Sequence, residues 1–388
     1  MPCSVLFFRQ AVYGRVLIAM IDDMNSSTAA VLTAYKEPLE LRQYPIPDVR
    51  PGEVLVRVEM AGVCGTDVHL CAGELAIPLP VILGHETVGR IEILGQGVES
   101  DWRGDPLTVG SRVTWASSIA CGQCYYCRRK RQPTRCLFRK AYGISYSANE
   151  PPHLNGGYAQ YILLRAGTAI FRVPPSVPTE SLVGAGCALT TVLHGFERIA
   201  VEIGDVVVVQ GTGPVGLASI AVAKISGASQ IISIGAPHRR LELARAFGAD
   251  LSISVEQVPE PQQRKELVLK ETGGYGADII VECVGRPGAV PEGWDLCRDG
   301  GSCLVLGQYA NAGDVLINPH TITRKQLQIF GSWGFEPRHV DRALTLLQDD
   351  YWRSKFAEEV THRFPLEQAS EAIDLARQQT AGKTVIVP

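Results

Sequence analysis

The pattern of hydrophobic and polar positions divides the chain into two kinds of structure. Between about residues 28 and 186, short segments alternate in part between apolar and polar positions, and glycine and proline separate them. Such alternation predicts strands with one buried face, so this region is expected to form a compact, barrel-like β domain. The clearest segments are residues 54–59, 88–94 and 112–115.

The period of the hydrophobic pattern changes at about Asp205. Four consecutive valines at 206–209 are typical of a parallel strand buried on both faces, and a glycine turn and a helical stretch over 215–226 follow. Further strands and helices alternate after it, and one more helix (339–348) and a last strand (384–387) end the pattern. The alternation predicts an α/β fold with a doubly wound parallel sheet of the Rossmann type.

These patterns predict a β-rich domain, a parallel-sheet domain and an N-terminal extension outside the fold. Their bounds are 28–187 with 332–388, then 188–331, and 1–27. The extension is interpreted as the product of an upstream start codon, with Met20 or Met24 as the alternative start. A targeting segment is the other interpretation, but arginine and glycine interrupt its apolar stretches and no clear small-residue cleavage site follows.

The composition excludes several classes of protein. Of 388 residues, 46% are hydrophobic and 20% are charged, which excludes a disordered chain, a coiled coil and a collagen-like fibre. The net charge of −3 provides no basic field, so a nucleic-acid partner is not expected. A membrane partner is not expected either, since no apolar run approaches the roughly 20 residues that span a bilayer. The pattern of the 11 cysteines indicates a reducing compartment, and we expect a cytoplasmic protein.

A glycine motif follows the first strand of the alternating part. It reads Gly211-Thr212-Gly213-Pro214-Val215-Gly216. The first glycine makes the turn, the second lets the backbone approach a pyrophosphate, and the third lets helix pack on strand. The helix N-terminus then offers free N–H groups to phosphate. The motif predicts a dinucleotide site, with a structural turn in another α/β fold as the alternative.

The end of the next strand concerns the choice between NAD and NADP. An acidic residue there binds the ribose hydroxyls of NAD and repels the 2′-phosphate of NADP. This sequence has Gly235 at that point, and His238, Arg239 and Arg240 follow. The missing acid and the cationic neighbours favour NADP, although Arg240 and His238 are equally typical of a helix surface.

Four cysteines indicate a metal site. Cys121, Cys124 and Cys127 stand at two-residue spacings, and Cys136 follows after eight residues. Four thiolates complete a tetrahedral zinc site without an open position, which is a structural role. A disulfide pair and an iron–sulfur cluster are the alternatives, but the last gap does not match ferredoxin spacing. The basic residues around this lobe at 121–136 are interpreted as a solvated surface.

A second group of candidate ligands is dispersed along the chain. Cys64 stands in Cys-Gly-Thr-Asp-Val-His, expected to be a loop after a strand, with His85 and Glu86 about twenty residues later and Cys187 before the alternating part. Two thiolates and one imidazole suit a zinc ion whose fourth position is open to substrate. Spacing alone does not determine this set, because a lone histidine or cysteine is more often packed or exposed than a ligand.

With these motifs in this order, the chain resembles the zinc-dependent alcohol dehydrogenases of the medium-chain dehydrogenase/reductase family. The likeness runs from about Ala30 to Pro388 and includes Gly-Val-Cys64-Gly-Thr66-Asp67, Gly84-His85-Glu86, the cysteine lobe, Gly-Cys187 and the glycine turn. It implies hydride transfer between an alcohol or carbonyl substrate and NAD(P), two zinc ions per chain, and a homodimer or homotetramer.

The resemblance implies ligands for the catalytic zinc. Cys64, His85 and Cys187 would bind it, and Glu86 would lie beside the metal and replace water or substrate during exchange. Asp67 would orient His85. Polyol dehydrogenases of the family tend to have glutamate where Cys187 stands, so this cysteine favours alcohol or aldehyde chemistry.

The resemblance also implies a path for protons and contacts for the cofactor. Thr66 would receive the alcohol proton and His69 would pass it outward past the nicotinamide ribose. Thr191 would contact the nicotinamide and Lys383 the pyrophosphate. Three departures stand out: the fourth lobe cysteine comes one residue later than is common, Gly65 replaces a phosphate-contacting arginine of some members, and the N-terminal extension has no counterpart.

Three other functions remain as alternatives. A zinc-independent quinone or enone reductase of the same fold would lack the metal ligands. A polyol, sugar or amino-acid alcohol dehydrogenase of the same family differs only in substrate. A non-catalytic zinc-lobe binding protein would keep its function when His85 is replaced. The candidate substrate-pocket residues are Trp115, Tyr142, Leu154 and Trp333.

Overall fold

The computed structural model describes residues 25–380 and 382–388, so residues 1–24 of the predicted extension lie outside the described part. The strands of the described residues are β1 (Ser26–Leu32), β2 (Glu40–Pro45), β3 (Val54–Gly62), β4 (Val81–Ile82), β5 (Glu86–Leu94), β6 (Arg112–Trp115), β7 (Ser118–Ile119), β8 (Lys140–Ala141), β9 (Tyr161–Leu164), β10 (Ile170–Arg172), β11 (Val206–Gln210), β12 (Gln230–Gly235), β13 (Leu251–Ser254), β14 (Ala277–Glu282), β15 (Cys297–Val305), β16 (Gln328–Gly331), β17 (Val360–Pro365) and β18 (Lys383–Val387).

The α-helices of the same residues are α1 (Gly65–Ala72), α2 (Thr179–Phe196), α3 (Pro214–Ser226), α4 (His238–Ala246), α5 (Pro261–Glu271), α6 (Ala289–Leu296), α7 (Pro319–Lys325), α8 (Pro337–Leu346), α9 (Asp350–Glu358) and α10 (Ala369–Gln378). Short π- or 3-10-helical turns cover Tyr126–Lys130, Pro133–Arg135 and Leu366–Gln368. None of the described helices is long and apolar enough to cross a membrane.

A mainly antiparallel sheet forms the β-rich part. Its order is β10-β6-β5-β3-β18-β17, with β9 also beside β3, and the smaller sheets are β2-β1-β4 and β7-β8. The last strand pairs antiparallel with β3, Val385 opposite Gly62. The C-terminal strand therefore completes the sheet that carries the first candidate ligands.

The first described strand begins before the predicted end of the extension at residue 27. Ser26 and Ser27 pair with Pro45 and Tyr44 of β2. Ser27 is fully buried, and its hydroxyl accepts the backbone N–H of Tyr161 at 3.2 Å. Ser26 and Ser27 therefore belong to the sheet although both are polar. The hydrogen bond from Tyr161 satisfies the buried hydroxyl of Ser27.

The alternating part forms a six-stranded parallel sheet, which confirms the predicted Rossmann type. Its order is β13-β12-β11-β14-β15-β16. Counted along the chain this is 3-2-1-4-5-6, and the order reverses between β11 and β14. Val207, Val208 and Val209 of β11 are fully buried, as expected for a central strand between two helical layers. Ligands bind such sheets at the carboxyl ends of the strands where the order reverses.

The helices differ from the sequence predictions in three places. The segment after Cys64 is the helix α1 rather than a loop, and α2 spans the expected boundary at residue 187. The pattern predicted one helix after about residue 331, which corresponds to α8, but two more helices, α9 and α10, follow it. These elements are short or contain glycines, so hydrophobic periodicity over a long window does not identify them.

Candidate active site

A large cleft lies where the two parts of the fold meet. It has a volume of about 1690 Å³ and opens at the carboxyl ends of β11 and β14. Among the residues that line it are many of those predicted from sequence: Cys64, Thr66, His69, His85, Glu86, Cys187, Thr191, Gly211, Thr212, Gly213, Pro214, Val215, Gly235, Arg240 and Lys383. One cleft therefore holds the dispersed ligands and the glycine turn together.

Four potential metal ligands converge on the floor of this cleft. Cys64 caps the start of α1, His85 and Glu86 stand at the start of β5, and Cys187 lies within α2. One donor atom from each lies within 4.8 Å of all the others. The Sγ atoms of Cys64 and Cys187 are 3.5 Å apart and both thiols are free. Two thiols and an imidazole at this separation fit a tetrahedral zinc ion.

Gly186 aims Cys187 at the other ligands. Its φ of 45° and ψ of −148° interrupt the helix α2, and a Cβ at this position would overlap the carboxylate of Glu86. After this kink the backbone N–H of Cys187 donates to Oε1 of Glu86 at 2.8 Å. Only glycine satisfies both the positive φ and the close approach.

Asp67 orients the histidine ligand from behind. Its fully buried carboxylate accepts the backbone N–H of Cys64 at 2.8 Å and lies 3.5 Å from Nδ1 of His85. Burial acts to lower the pKa of His85, but the Asp67 carboxylate overrides it and holds that pKa well above its usual value. A hydrogen bond with the Cys187 thiol lowers the pKa of Cys64 to about 5. Cys64 is therefore poised to be a thiolate, the form that binds metal.

Glu86 forms an ion pair with Lys383 rather than standing free beside the ligands. The ammonium of Lys383 contacts Oε2 of Glu86, and both side chains are buried. Burial acts to raise the pKa of Glu86, but Lys383 and His85 lower it to about 2. Behind this pair, burial raises the pKa of Glu359 to about 8. Lys383 was predicted to contact the pyrophosphate, but in the structure its ammonium group is paired with Glu86.

An aromatic wall closes the cleft above Thr66. The rings of Tyr309 and Trp333 stack with centroids 5.1 Å apart and planes 9° apart. Burial raises the pKa of Tyr309 to about 12, although a hydrogen bond with Thr66 acts to lower it. His69 faces the same tyrosine, with ring centroids 6.0 Å apart. Both predicted proton carriers, Thr66 and His69, therefore lie close to Tyr309.

The four lobe cysteines also converge. Their sulfur atoms lie within 4.8 Å of one another. Sγ of Cys124 is 3.5 Å from that of Cys127 and 3.9 Å from that of Cys136, and all four are free thiols. The backbone N–H groups of Cys127 and Leu137 lower the pKa of Cys124 to about 6. Four converging sulfurs without a disulfide fit a closed tetrahedral zinc site.

The glycine turn lies at the point where the strand order reverses. A Cβ at Gly216 would overlap the carbonyl of Gly211, so helix and turn pack as the motif predicts. A Cβ at Gly235 would stand 2.5 Å from Oγ1 of Thr212. Of the two predicted arginines, Arg240 lines the cleft beside Gly213, whereas Arg239 is exposed.

Three of the four predicted substrate-pocket residues belong to the hydrophobic core instead. Trp115 and Tyr142 are buried in the β sheet cluster and Leu154 in a neighbouring one. Only Trp333 of the four lines the main cleft. Large apolar residues in β segments are more often core than pocket, and the alternation pattern does not distinguish the two.

Sequence reasoning missed two residues that line the cleft, Tyr309 and Arg139, and one that contacts a lining residue, Glu74. The sequence did not indicate a role for Tyr309, apart from its position shortly after a parallel strand. Arg139, interpreted as part of a solvated basic run, lines the cleft and donates to Oγ of Ser118 at 2.8 Å. Glu74 bonds to His69 and had no sequence signal.

Comparison with protein families matches both parts of the chain. Residues 50–175 match the family described as alcohol dehydrogenase GroES-like domain. Residues 214–349 match the family described as zinc-binding dehydrogenase. The first range covers most of the β-rich part, and the second covers five of the six strands of the parallel sheet, β12 to β16.

Curated relatives extend over nearly the whole chain. A 5-exo-hydroxycamphor dehydrogenase of Pseudomonas putida is 38% identical over 94% of this chain and 99% of its own length. A sorbitol dehydrogenase of Halalkalibacterium halodurans is 32% identical over 88% of this chain and 94% of its own. These relatives act on different alcohols, so likeness alone does not name a substrate.

Solved structures share the fold. An alcohol dehydrogenase from Thermotoga maritima superposes with a TM-score of 0.89 at 33% identity and covers 94% of this chain and 99% of its own. A zinc-binding dehydrogenase from Sinorhizobium meliloti, bound to NADP, superposes with a TM-score of 0.80 at 26% identity over 94% and 99% of the two chains. The arrangement of a GroES-like part and a Rossmann part is thus common to these proteins.

Proposed function

Because this chain belongs to the family of zinc-dependent alcohol dehydrogenases, it is an oxidoreductase, and we propose that it oxidises an apolar secondary alcohol, or reduces the matching ketone, with NADP as its preferred cofactor. The observation that carries this proposal is the convergence of Cys64, His85 and Cys187 beneath the aromatic wall of Tyr309 and Trp333. Metal ligands and an apolar wall face one cleft.

Cys64, His85 and Cys187 would hold the catalytic zinc. Zinc supplies a Lewis acid that lowers the pKa of an alcohol or polarises a carbonyl. Glu86 would stay beside the metal, since Lys383 and the N–H of Cys187 already engage its two oxygens. The lobe cysteines would hold a second, structural zinc. We therefore expect about two zinc ions per chain by elemental analysis.

Thr66 and His69 would carry the alcohol proton. In oxidation the Thr66 hydroxyl accepts the proton from the substrate and passes its own toward His69, whose ring lines the same cleft. A nicotinamide cofactor bound in the cleft would supply the acceptor for the hydride that leaves the substrate carbon. The walls of the cleft align the reactants and exclude water, which favours hydride transfer.

The preference for NADP follows from the end of β12. Gly235 places no carboxylate against a 2′-phosphate, and Arg240 lines the cleft beside the glycine turn. Replacing Arg240 with alanine is expected to raise KM for NADPH more than KM for NADH. Replacing Arg245, an exposed arginine of the same helix α4, with alanine serves as the matched control and is expected to change neither. Equal effects of the two changes would contradict the role of Arg240.

The substrate class follows from the aromatic wall and from the relatives. Stacked Tyr309 and Trp333 offer an apolar surface that suits a ring or branched carbon skeleton, and the 38% identical relative is a dehydrogenase of hydroxycamphor. A polyol or amino-acid alcohol is the second candidate, because a sorbitol dehydrogenase is 32% identical. The many hydroxyls of a polyol would need polar partners that this wall does not offer.

The deciding experiment is the oxidation of NADPH and of NADH by zinc-loaded protein with matched carbonyl compounds. The panel contains a bicyclic terpene ketone, cyclohexanone, an aliphatic aldehyde and a ketose, with L-threonine oxidation measured separately. Fastest turnover with a cyclic ketone and NADPH supports the proposal. Fastest turnover with the ketose or L-threonine would replace the substrate class, and faster turnover with NADH would replace the cofactor.

We also propose that the protein is a homodimer or homotetramer. The segment before α7 exposes a run of apolar side chains, Val315, Leu316 and Ile317, of which Leu316 is 94% exposed. The nearby β16 stands at the edge of the parallel sheet. An exposed apolar run beside a sheet edge is typical of a surface that a second copy covers.

A further inference from the structure

The turn after α1 brings Glu74 back to the ring of His69. Gly73 ends the helix with a φ of 77°, and the N–H of Glu74 donates to the carbonyl of His69 at 3.1 Å. A Cβ at Gly73 would stand 3.0 Å from Cγ of Tyr35. Both the left-handed φ and this contact favour glycine, so the turn holds Glu74 in a defined place.

Glu74 determines which nitrogen of His69 carries the proton. Its Oε2 lies 2.6 Å from Nδ1 of His69. A carboxylate only accepts hydrogen bonds, so Nδ1–H must be the donor. The neutral ring then presents an unprotonated Nε2, the atom that is able to take up a proton. His69 lines the cleft, and its ring centroid is 6.0 Å from that of Tyr309.

We propose that Glu74 is a positioning residue for proton release, acting through His69. This inference rests on the proposed function, because it assumes that His69 receives the alcohol proton. The carboxylate fixes the tautomer that accepts at Nε2 and stabilises the imidazolium that forms. The side chains of His69 and Glu74 are 39% and 49% exposed, so the pair connects the cleft to bulk water.

The proton path balances without another reactant. The proton from Thr66 bonds to Nε2 of His69, which makes an imidazolium whose Nδ1–H remains bonded to Glu74. The imidazolium then releases one proton to water and returns to the neutral tautomer. Glu74 faces the ring from its own turn and Tyr309 faces it from the segment after β15. The raised pKa keeps Tyr309 neutral through this cycle.

A first test reads the tautomer without turnover. Zinc-loaded protein labelled with nitrogen-15 in its histidines is examined by long-range nitrogen–proton NMR, and His69→Gln identifies the His69 signal. We expect the Nδ1–H tautomer in the wild type and the Nε2–H tautomer, which free histidine prefers, in Glu74→Ala. The same tautomer in both proteins would overturn the inference.

A second test separates charge from hydrogen bonding. Glu74→Gln keeps an acceptor but removes the charge, whereas Glu74→Ala removes both. We expect kcat for alcohol oxidation to fall about tenfold in Glu74→Ala and less in Glu74→Gln, with KM nearly unchanged, since side chains that orient a functional histidine through a hydrogen bond commonly have effects of this size.

The control is Glu37→Gln, an exposed glutamate in the loop after β1, which is expected to match the wild type in every readout. If both Glu74 variants match this control while the wild type turns over, the inference on Glu74 is wrong and the proposed function stands. If the zinc-loaded wild type shows no dehydrogenase activity, the proposed function is wrong. The role of Glu74 in proton release is then wrong as well, whichever tautomer of His69 the NMR experiment finds.

Discussion

At the scale of single residues, the absence of a side chain at residue 235 shapes the part of the cleft beside the glycine turn. Gly235 ends β12, and a Cβ there would stand 2.5 Å from Oγ1 and 2.8 Å from Cγ2 of Thr212. The absence of an acid at this position was readable from sequence. The contact with Thr212 could not be predicted from the sequence, because it depends on the pairing of β11 with β12. An acid at residue 235 requires room that Thr212 now fills.

We predict that Gly235→Asp alone impairs use of both cofactors, whereas Gly235→Asp with Thr212→Ala shifts preference toward NAD. The carboxylate repels the 2′-phosphate and accepts from the ribose hydroxyls. The ratio of kcat/KM for NADPH to that for NADH should fall about tenfold or more in the double variant, since tenfold needs only ~1.4 kcal/mol. Thr212→Ala alone is the control. An unchanged ratio in the double variant would contradict the account of Gly235.

At the scale of elements, a buried polar cluster joins α2 to α8. His339 of α8 is fully buried; its Nδ1 accepts the N–H of Glu336 at 2.9 Å and its Nε2 lies 3.2 Å from Glu197. The ring packs against His194, whose Nδ1 bonds to the carbonyl of Gly334 beside Trp333. The segment that carries the aromatic wall is thus held by two helices.

The same cluster predicts a pH dependence of stability. Burial lowers the pKa of His339 below its usual value of 6.5, so the unfolded chain binds more protons than the folded one as the pH falls through that value. The neutral ring therefore stabilises the fold fully above pH 6.5, and this stability declines in more acidic solution. His339→Asn should flatten the dependence of Tm on pH between 7 and 5, measured by calorimetry. The exposed His320→Asn is the control, and equal slopes for His339→Asn and wild type would contradict the assignment.

The cysteine lobe gives a second prediction at this scale. Its short helical turns have little core of their own, so a bound zinc ion would hold them together. Cys124→Ser should lower zinc content by about one ion per chain and expose residues 121–140 to proteolysis, because the site loses a ligand. Cys71→Ala changes a buried thiol outside both clusters and should keep full zinc content. Full zinc in Cys124→Ser, measured by elemental analysis, would rule out metal in the lobe.

At the scale of the whole molecule, the active site depends on parts of the chain that lie far apart in sequence. Cys64 and Cys187 approach through α1 and α2, and Lys383 reaches Glu86 because β18 pairs with β3. The cleft therefore exists only when both parts of the fold are assembled. The apolar segment at 315–317 is a further feature of this scale, because Leu316 is 94% exposed in a single chain.

We predict that Leu316→Glu lowers the oligomeric state. A charge at a 94% exposed leucine disturbs little within one chain but opposes burial against a second copy. Light scattering after size-exclusion chromatography should give a smaller assembly than wild type, with an unchanged circular dichroism spectrum. Tyr275→Glu, a change at another exposed apolar residue (80%), is the control. A wild type that is already monomeric would refute the proposed oligomer.

The sequence by itself determined the features that depend on local spacing. Runs of buried valines and alternating apolar positions specify strand type, so the Rossmann sheet and the β-rich part were predictable, as were the glycine turn and the cysteine lobe. The resemblance to a known family implied the ligand set, which spacing did not determine. Tertiary structure alone decided that Lys383 pairs with Glu86, that Tyr142 is core rather than pocket, and that Glu74 holds His69. The physical reason is that these contacts follow from strand pairing and helix packing between distant segments, which hydrophobic periodicity does not encode.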